Sequence, residues 1–395
     1  MRATSPIDVV VACFRTDEPG SAGASTWSTS DQNRIAALAA QHLVAPAVHV
    51  ALQPFLEGTV AGRTLSSAYH RNALRQLRCI ADLARLAELL DEQGVAWAVL
   101  KGPALADVYY PRPELRSYAD LDVLVEPARF GDVIRSLEAA DAHLVDVNWE
   151  LIRDSRRGEL SLRLWNGTEL DLHWHPITEA RVRRRFPVTT RELLDGSRRH
   201  DVGGVDVPIL GRADGLSYVA SHAVLAGADR LRWYVDVAMI LDRDGPPTTQ
   251  DWDRSRRLGF AAATAVMLDR VARVLRHPVA QQRRSAAPRS AWRSLLRAAA
   301  FIRPPERLVD GRLGLRTISR STRADTRQSL IGGAESFWFD VAKPLATEPE
   351  HPWRARGRDH PQRGNPLHLP GGTEEDRAGY LRWVSEHETR RPDDR

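Results

Sequence analysis

The sequence predicts a mixed α/β (α+β) fold in which a small mixed sheet is flanked by N-terminal and C-terminal helices. Apolar residues recur at helical spacing up to Glu92 and again from Ala213, whereas the apolar runs between them have the length of strands. Alternating apolar and polar residues on both sides of Asn166–Thr168 are typical of a β-hairpin. These patterns place the sheet in the middle of the 395-residue chain.

The N-terminal region divides into a leader and a helical part. The stretch from Thr16 to Thr29 is rich in Gly, Ser, Thr and Ala without apolar periodicity, so residues 1–30 are predicted to be a flexible leader. Residues 31–94 carry apolar side chains at helical spacing, which predicts two or three amphipathic helices. Gly94 stands where a helix commonly ends.

Two strands and two helices follow. Val95–Leu100 is a short apolar run after a turn, which indicates a buried strand. A Gly-Pro turn breaks it, and the next helix is predicted to begin at Pro103 and to end near Tyr109, because proline suits the first position of a helix. The second strand is predicted over Tyr118–Val125, and a helix over Ala128–Ala140 comes after it.

A hairpin is predicted from Leu160–Trp165 and Glu169–His175. A two-residue loop would set Leu162 beside Asp171 and mix apolar with acidic faces. A three-residue loop instead pairs Leu162 with Leu172 and keeps the leucines together. We therefore expect the three-residue loop, which leaves Asp171 on a polar face.

The remaining chain divides into a helical part and an extension. The strands and the hairpin define a central core over residues 95–177, and residues 178–280 show mainly helical patterns. Arg, Pro, Gly and Ser accumulate over residues 281–395, which predicts a partly disordered extension. The helices predicted in these two C-terminal regions are Ala213–Leu225, Arg230–Leu241, Phe260–Leu275, Ala291–Ile302 and Glu374–His387.

Composition limits the class of protein. Hydrophobic residues at 43% and charged residues at 27% are ordinary for a globular protein, and the net charge is +5. Lys101 and Lys343 are the only lysines among 56 basic residues, so a lysine is noteworthy here. Cys13 and Cys79 lack the spacing of a metal site or a disulfide framework, which predicts a cytoplasmic protein. No run of about 20 apolar residues occurs, so we expect no membrane association.

Three aspartates form the candidate catalytic site. Strand alternation puts Asp120 and Asp122 on one face of their strand, with Cα atoms roughly 6–7 Å apart. Asp171, on the polar face of the hairpin, adds a third carboxylate from another strand. Such a group of anions is costly to bury unless a cation neutralises it, and Mg²⁺ or Mn²⁺ suits hard oxygen ligands. Three carboxylates on neighbouring strands are typical of two-metal phosphoryl transfer.

Four other residues are candidates for nucleotide binding. Gly102 lets the backbone approach a triphosphate closely, and the helix after it points amides toward the anion. Lys101 is expected to supply a point charge, and the Arg116 guanidinium to clamp a phosphate with two N–H groups. His173 shares the polar face of Asp171, where it is expected to orient a carboxylate or touch the substrate.

Several of these motifs resemble those of the uncharacterised bacterial nucleotidyltransferase family, a branch of the DNA polymerase β-like superfamily. The resemblance rests on Leu100–Ala106, Asp120–Val125, Leu170–Trp174 and Arg230–Asp236, and it covers roughly residues 30–280. It implies a polymerase β-like nucleotidyltransferase core. It further implies that Asp120 and Asp122 are the paired metal ligands, Asp171 the third carboxylate and Gly102 the glycine turn.

The glycine turn departs from the superfamily pattern. The superfamily usually has Gly-Ser or Gly-Gly followed by a shorter gap, whereas here Gly102 precedes proline and Asp120 comes 18 residues later. Triphosphate binding is therefore expected to depend on Lys101 and Arg116.

These observations predict transfer of a nucleoside monophosphate from an NTP to an acceptor, with release of pyrophosphate. The acceptor is left open among a small molecule, a peptide or protein, and RNA. Two alternatives also stay open: a γ-phosphoryl transferase or phosphohydrolase with the same metal site, and a non-catalytic regulatory or binding protein on this scaffold. Asp122→Asn is expected to abolish turnover with an unchanged or raised melting temperature.

Overall fold

The protein contains a central mixed sheet. A computed structural model describes residues 5–15, 27–282, 290–302, 319–323, 325–337 and 365–387. The strands in the described residues are β1 (Trp97–Val99), β2 (Asp120–Val125), β3 (His143–Leu144), β4 (Glu159–Arg163), β5 (Glu169–His173), β6 (Arg198–Val202) and β7 (Val205–Ile209), in the order β3-β4-β5-β2-β1-β7-β6. The β2–β5 and β1–β7 pairs are parallel and the other pairs are antiparallel. The predicted mixed α/β fold is confirmed.

Four helices precede the sheet. The first lies within the stretch predicted to be a flexible leader, and this part of the prediction is wrong: Val9, Val10 and Val11 are buried in the helical core, so the segment gains apolar contacts when it is ordered. Residues 16–26 of that stretch lie outside the described residues. The helices are α1 (Pro6–Ala12), α2 (Thr29–Gln41), α3 (Ala45–Leu56) and α4 (Val60–Glu92).

Helices also connect and follow the strands. Those between strands are α5 (Pro103–Tyr109), α6 (Pro127–Ala139), α7 (Trp149–Ser155), α8 (Ala180–Arg183) and α9 (Thr190–Asp195). Those after β7, in the described residues, are α10 (Arg212–Leu225), α11 (Leu231–Asp244), α12 (Thr249–Arg257), α13 (Ala261–Val274), α14 (Pro278–Gln282), α15 (Ala291–Ile302), α16 (Thr326–Phe337) and α17 (Glu374–His387). Both helices predicted in the extension, α15 and α17, are present. Much of the rest of that extension lies outside the described residues.

The two faces of the sheet have different surroundings. Leu121, Val123 and Val125 of β2 and the leucines of β4 and β5 pack with side chains of α4, α6 and α17 in one apolar cluster. Trp174, directly after β5, is fully buried there, and its indole Nε1 donates to the Tyr380 hydroxyl of α17 at 3.0 Å. A second apolar cluster joins α1–α3 with α10–α13. The acidic side chains of β2 and β5 therefore lie on the opposite face of the sheet from the first cluster.

The hairpin of β4 and β5 differs from its predicted register. Leu162 pairs with Leu170, not with Leu172, so the strands are shifted by two residues. A shift of two preserves which side chains share a face, so Asp171 is on the polar face as predicted. The longer loop is held from outside the hairpin, because the Asp82 carboxylate of α4 accepts the backbone N–H groups of Asn166 at 2.9 Å and Thr168 at 3.2 Å.

The β6–β7 hairpin was missed, although the sequence carries a signal for it. Gly203 and Gly204 both have positive φ and form the two-residue turn between Val202 and Val205. Two glycines flanked by alternating valines are a recognised hairpin pattern.

None of the described helices is long and apolar enough to cross a lipid bilayer.

Candidate metal and nucleotide site

Parallel pairing of β2 with β5 brings the three aspartates together. Asp122 is the direct cross-strand neighbour of Asp171, and Asp120 precedes Asp122 by two residues on the same face. One carboxylate oxygen from each residue lies within 4.8 Å of the others. The side chains predicted to meet from two distant stretches of chain therefore do so.

The electrostatics of Asp120, Asp122 and Asp171, called the trio below, fit a bound cation. Asp122 is only 1% exposed, and its Oδ2 has no hydrogen-bond partner among the described residues. Burial, together with the neighbouring Asp122 and Glu159 carboxylates, raises the pKa of Asp171 to about 7. An unpaired buried carboxylate oxygen beside a second acid that resists ionisation has the donor chemistry that Mg²⁺ or Mn²⁺ requires. The residues present thus fit a divalent metal.

Lys101 is placed against these carboxylates. Its ammonium forms an ion pair with Asp122 Oδ1 and lies 3.8 Å from Asp120 Oδ2. Burial opposes its charge, yet attraction to Asp122 and Asp120 raises the pKa of Lys101 above its usual value. This side chain offsets one of the three negative charges and stands at the mouth of the site, with 12% of its surface exposed.

Gly102 is required by two features of the turn. Its φ of +69° is a conformation that L side chains rarely adopt. A Cβ atom at this position would lie 2.9 Å from the backbone oxygen of Asp120, so the turn packs directly against the start of β2. The glycine therefore sets the distance between the Lys101 side chain and the aspartates.

The family comparison agrees with this geometry. Residues 28–276 match the sequence model of a family described as uncharacterised nucleotidyltransferase. The chain belongs to this family. Its members are classed as transferases of phosphorus-containing groups, so this nucleotidyltransferase is an enzyme of that class. No curated protein matches the chain.

Arg116 does not face the aspartates of the nucleotidyltransferase. Its Nε and Nη2 donate to the two carboxylate oxygens of Asp236 on α11 at 2.7 and 3.0 Å, and its Nη1 donates to the Gly102 carbonyl at 3.1 Å. Tyr110 donates its hydroxyl to the same Asp236 at 2.6 Å. The guanidinium is 3% exposed, so it holds the glycine turn and has no open edge for a phosphate. The phosphate clamp predicted for Arg116 is corrected on this ground.

His173 lies behind the aspartates. Its Nε2 is 3.2 Å from Asp122 Oδ1 and its Nδ1 is 3.3 Å from Glu159 Oε2. Burial disfavours the imidazolium, but the Glu159 and Asp122 carboxylates raise the pKa of His173. This arrangement orients a carboxylate, one of the two roles expected from the sequence.

Three site residues were missed from the sequence. Glu159 and Ser161 of β4 share the polar face, and Ser161 Oγ donates to Asp171 Oδ1 at 2.8 Å. The predicted alternation of the hairpin was the signal for both. Arg232 of α11 donates its Nη1 to the Ser117 carbonyl at 3.0 Å, and its Nε is buried without a partner among the described residues. Only the tertiary fold brings it near Asp120.

The second hairpin histidine has a structural position. His175 Nδ1 accepts from the Ile177 amide at 3.0 Å, which leaves Nε2 to donate to the Val188 carbonyl at 3.2 Å. Burial, followed by repulsion from Arg183, lowers the pKa of His175 well below its usual value. Both ring nitrogens are used within the loop after β5.

Proposed function

We propose that this nucleotidyltransferase moves a nucleoside monophosphate from an NTP, with ATP as the first to test, to an acceptor with release of pyrophosphate. One observation carries the proposal: Asp120, Asp122 and Asp171 offer oxygens within 4.8 Å of one another, and Asp122 Oδ2 is buried without a partner among the described residues. We infer that these oxygens hold Mg²⁺ or Mn²⁺. Bound there, the ions would polarise the α-phosphate and offset charge on the leaving pyrophosphate.

The acceptor side of the reaction is assigned to Asp171. The acceptor hydroxyl oxygen forms a bond to the α-phosphorus, and the bond from that phosphorus to the bridging oxygen breaks. The pyrophosphate leaves with the electron pair, and the hydroxyl proton passes to Asp171. Ser161 orients Asp171 from β4, while His173 and Glu159 orient Asp122.

The phosphate side is assigned to Lys101 and Arg232. The Lys101 ammonium contacts Asp122 and Asp120, and the Gly102 turn keeps it there. Burial and the neighbouring Arg116 lower the pKa of Arg232, which means that its charge is incompletely balanced and that an anion beside it would be stabilised. We propose that Arg232 contacts the triphosphate in the role first expected for Arg116.

The proposal is tested with ATP labelled at either the α- or the γ-phosphate, Mg²⁺ and a panel of acceptors. We expect the α-label on the acceptor and the γ-label in pyrophosphate. Asp122→Asn should abolish the transfer, and Asp253→Asn, an exposed acid on α12, is the matched control and should keep it. Normal transfer by Asp122→Asn would show that the trio is not the site.

The same assay separates the alternatives. Release of ADP or phosphate would indicate γ-phosphoryl transfer or hydrolysis. Absence of turnover together with steeply salt-dependent nucleic-acid binding would indicate a binding protein.

The ion pair between Lys101 and Asp122 also changes the expected stability of Asp122→Asn. Because Asp122→Asn leaves Lys101 with a weakened set of partners, its melting temperature should fall, contrary to the expectation from sequence. A cytoplasmic location is proposed in keeping with the free thiols of Cys13 and Cys79.

A further inference from the structure

A pocket of about 170 Å³ lies beside the aspartates, beyond the end of β5. Its walls come from the loop after β5, from α10 and from the segment 319–323. Thr178 in the wall donates its hydroxyl to Glu159 Oε2 at 2.5 Å, and Glu159 contacts His173, which contacts Asp122. The pocket is therefore separated from the trio by a short chain of polar side chains.

The pocket adjoins the site through two elements. β5 runs from Asp171 through His173 toward the pocket. His222 of α10 lines the pocket, and after burial the repulsion from Lys101 lowers its pKa. The pocket therefore lies close to both the aspartates and Lys101.

Two buried polar groups of the pocket wall are unsatisfied. Ser221 is 2% exposed, and its Oγ has no hydrogen-bond partner among the described residues. Arg323 is 3% exposed, and its Nε likewise has none in the described part of the chain. Buried polar groups are nearly always hydrogen-bonded in folded proteins, so each of these groups calls for a partner from outside the described residues, and a ligand in the pocket would supply one.

The charge of Arg323 is incompletely balanced. Its Nη1 donates to the backbone carbonyls of Arg320 at 2.7 Å and Thr322 at 2.9 Å. Within the described residues, no carboxylate lies within 4.0 Å of its guanidinium. Burial lowers the pKa of Arg323 to about 10, the direction expected for a cation held without a close counterion. An anion in the pocket would restore the balance.

The fold makes room for this guanidinium. A Cβ atom at Gly332 of α16 would lie 3.2 Å from Arg323 Cζ, so the glycine lets the helix pass close to the side chain. The ring of Phe186 lies 6.0 Å from Arg323 Cζ. The one acid in the wall, Glu179, has Arg181 at 3.0 Å and Arg320 at 3.4 Å, so its charge is offset within the wall.

The rest of the wall limits the ligand. Phe260 and Leu225 give the pocket an apolar side. A cavity volume of about 170 Å³ is many times the roughly 10–15 Å³ that one water needs, so the pocket can hold a small molecule but not a folded partner. The segment that supplies Arg323 lies outside residues 28–276, so this wall is an addition to the part of the chain that matches the family.

We propose that this pocket binds a small organic anion with an apolar body, whose carboxylate or phosphate is held by Arg323 and Ser221. This proposal stands on the pocket itself and does not depend on the proposed nucleotidyl transfer.

The binding test uses the full chain without nucleotide or metal. The probes are lactate, a hydroxylated carboxylate, and glycerol 3-phosphate, a phosphate monoester, each titrated by calorimetry. We expect at least one to bind, and the stronger of the two identifies the anionic group. Arg323→Gln should weaken that binding by about tenfold or more, a loss of about 1.4 kcal/mol. Arg184→Gln, an exposed arginine next to the pocket segment, is the matched control and should not change it.

Ser221→Ala provides a second test in case Arg323→Gln fails to fold. Because the hydroxyl is buried without a partner in the described residues, its removal should leave the melting temperature unchanged or raised while weakening probe binding several-fold. Wild-type affinity in both Ser221→Ala and Arg323→Gln, or no binding of either probe to the wild type, would overturn the proposal. Asp122→Asn should bind the probe normally. Probe binding by a protein that shows no nucleotidyl transfer would support this proposal and count only against the proposed function.

Discussion

Replacing Asp171 with asparagine should stabilise the metal-free protein and remove its response to metal. Asp171 lies beside Asp122 across the parallel strand pair, and burial with the charges of Asp122 and Glu159 raises its pKa to about 7. Asparagine removes the charge but keeps an oxygen that can accept from Ser161 Oγ, now at 2.8 Å. The substitution therefore removes a repulsion and keeps the hydrogen bond.

The size of the effect follows from the pKa. A rise from 3.8 to about 7 corresponds to at most about 4 kcal/mol at pH values above 7, at about 1.4 kcal/mol per unit. We expect roughly half of this, since the side chain is only partly buried, and hence a rise of several degrees in melting temperature. The sign depends on pH. The folded state holds the extra proton, so the wild type loses this stability as pH rises from about 4 to 7, and the advantage of asparagine should vanish below about pH 4.

With metal present, the wild type should have a higher melting temperature than Asp171→Asn, the reverse of the order expected without metal. A divalent ion at about 100 times its Kd stabilises the wild type by about 2.7 kcal/mol, whereas Asp171→Asn lacks one of the three ligands. Melting curves recorded in EDTA and in excess MgCl₂ measure both effects, with Asp253→Asn as the control for loss of an exposed acid. A lower melting temperature for Asp171→Asn in EDTA, or an equal Mg²⁺ shift in both proteins, would refute this account of the trio.

Three further predictions concern the parts around the site. Burial and Arg230 lower the pKa of His42 to about 4, so stability should fall by up to about 1.4 kcal/mol per unit as pH drops from about 6.5 to 4, and urea titrations of His42→Gln should show a flatter profile. Gly102→Ala should cost about 2–4 kcal/mol, because the residue has φ of +69° and its Cβ would meet the backbone of β2; an unchanged melting temperature would contradict this. Asp236→Asn should destabilise by about 3–5 kcal/mol by leaving Arg116 buried without its full counterion, whereas a surface role would give under 1 kcal/mol in thermal melts.

Local patterns in the sequence predicted the parts of the site that depend on strand alternation. Asp120 and Asp122 share a face because they are two residues apart, and Asp171 faces the same way in any register that keeps the leucines together. The predicted register was wrong, because registers that differ by two residues place the same side chains on each face, and strand alternation cannot distinguish them. The choice between them depends on Asp82, 84 residues before Asn166, and no local signal contains that contact.

Arg116 shows that local sequence also fails to predict the partner of a charged group when that partner is distant along the chain. Its place in the loop before β2 correctly put it near the glycine turn, where it donates to the Gly102 carbonyl. Its function there was misjudged, because its counterion, Asp236, lies 120 residues further along the chain. A cation near a predicted phosphate site is available to phosphate only if the fold supplies no carboxylate for it. Arg116 has such a carboxylate in Asp236. In the described residues Arg232 forms no ion pair within 4.0 Å, although Asp236 and Asp120 attract its charge, so Arg232 is the proposed phosphate contact.

The charge balance of the trio explains why the fold keeps a lysine in it. Three ionised aspartates and Lys101 leave a net charge of −2, which one divalent cation would balance. The metal-free protein reduces this excess by holding a proton on Asp171, whose pKa of about 7 lies well above that of an exposed aspartate. Lys101 thus reduces the repulsion among the aspartates but leaves a net negative charge that a cation can balance. Tyr218 of α10 is buried near these carboxylates, so water screens their charge only weakly. We therefore expect the remaining charge to attract a divalent ion, and the binding of that ion to depend on pH because Asp171 would have to lose its proton.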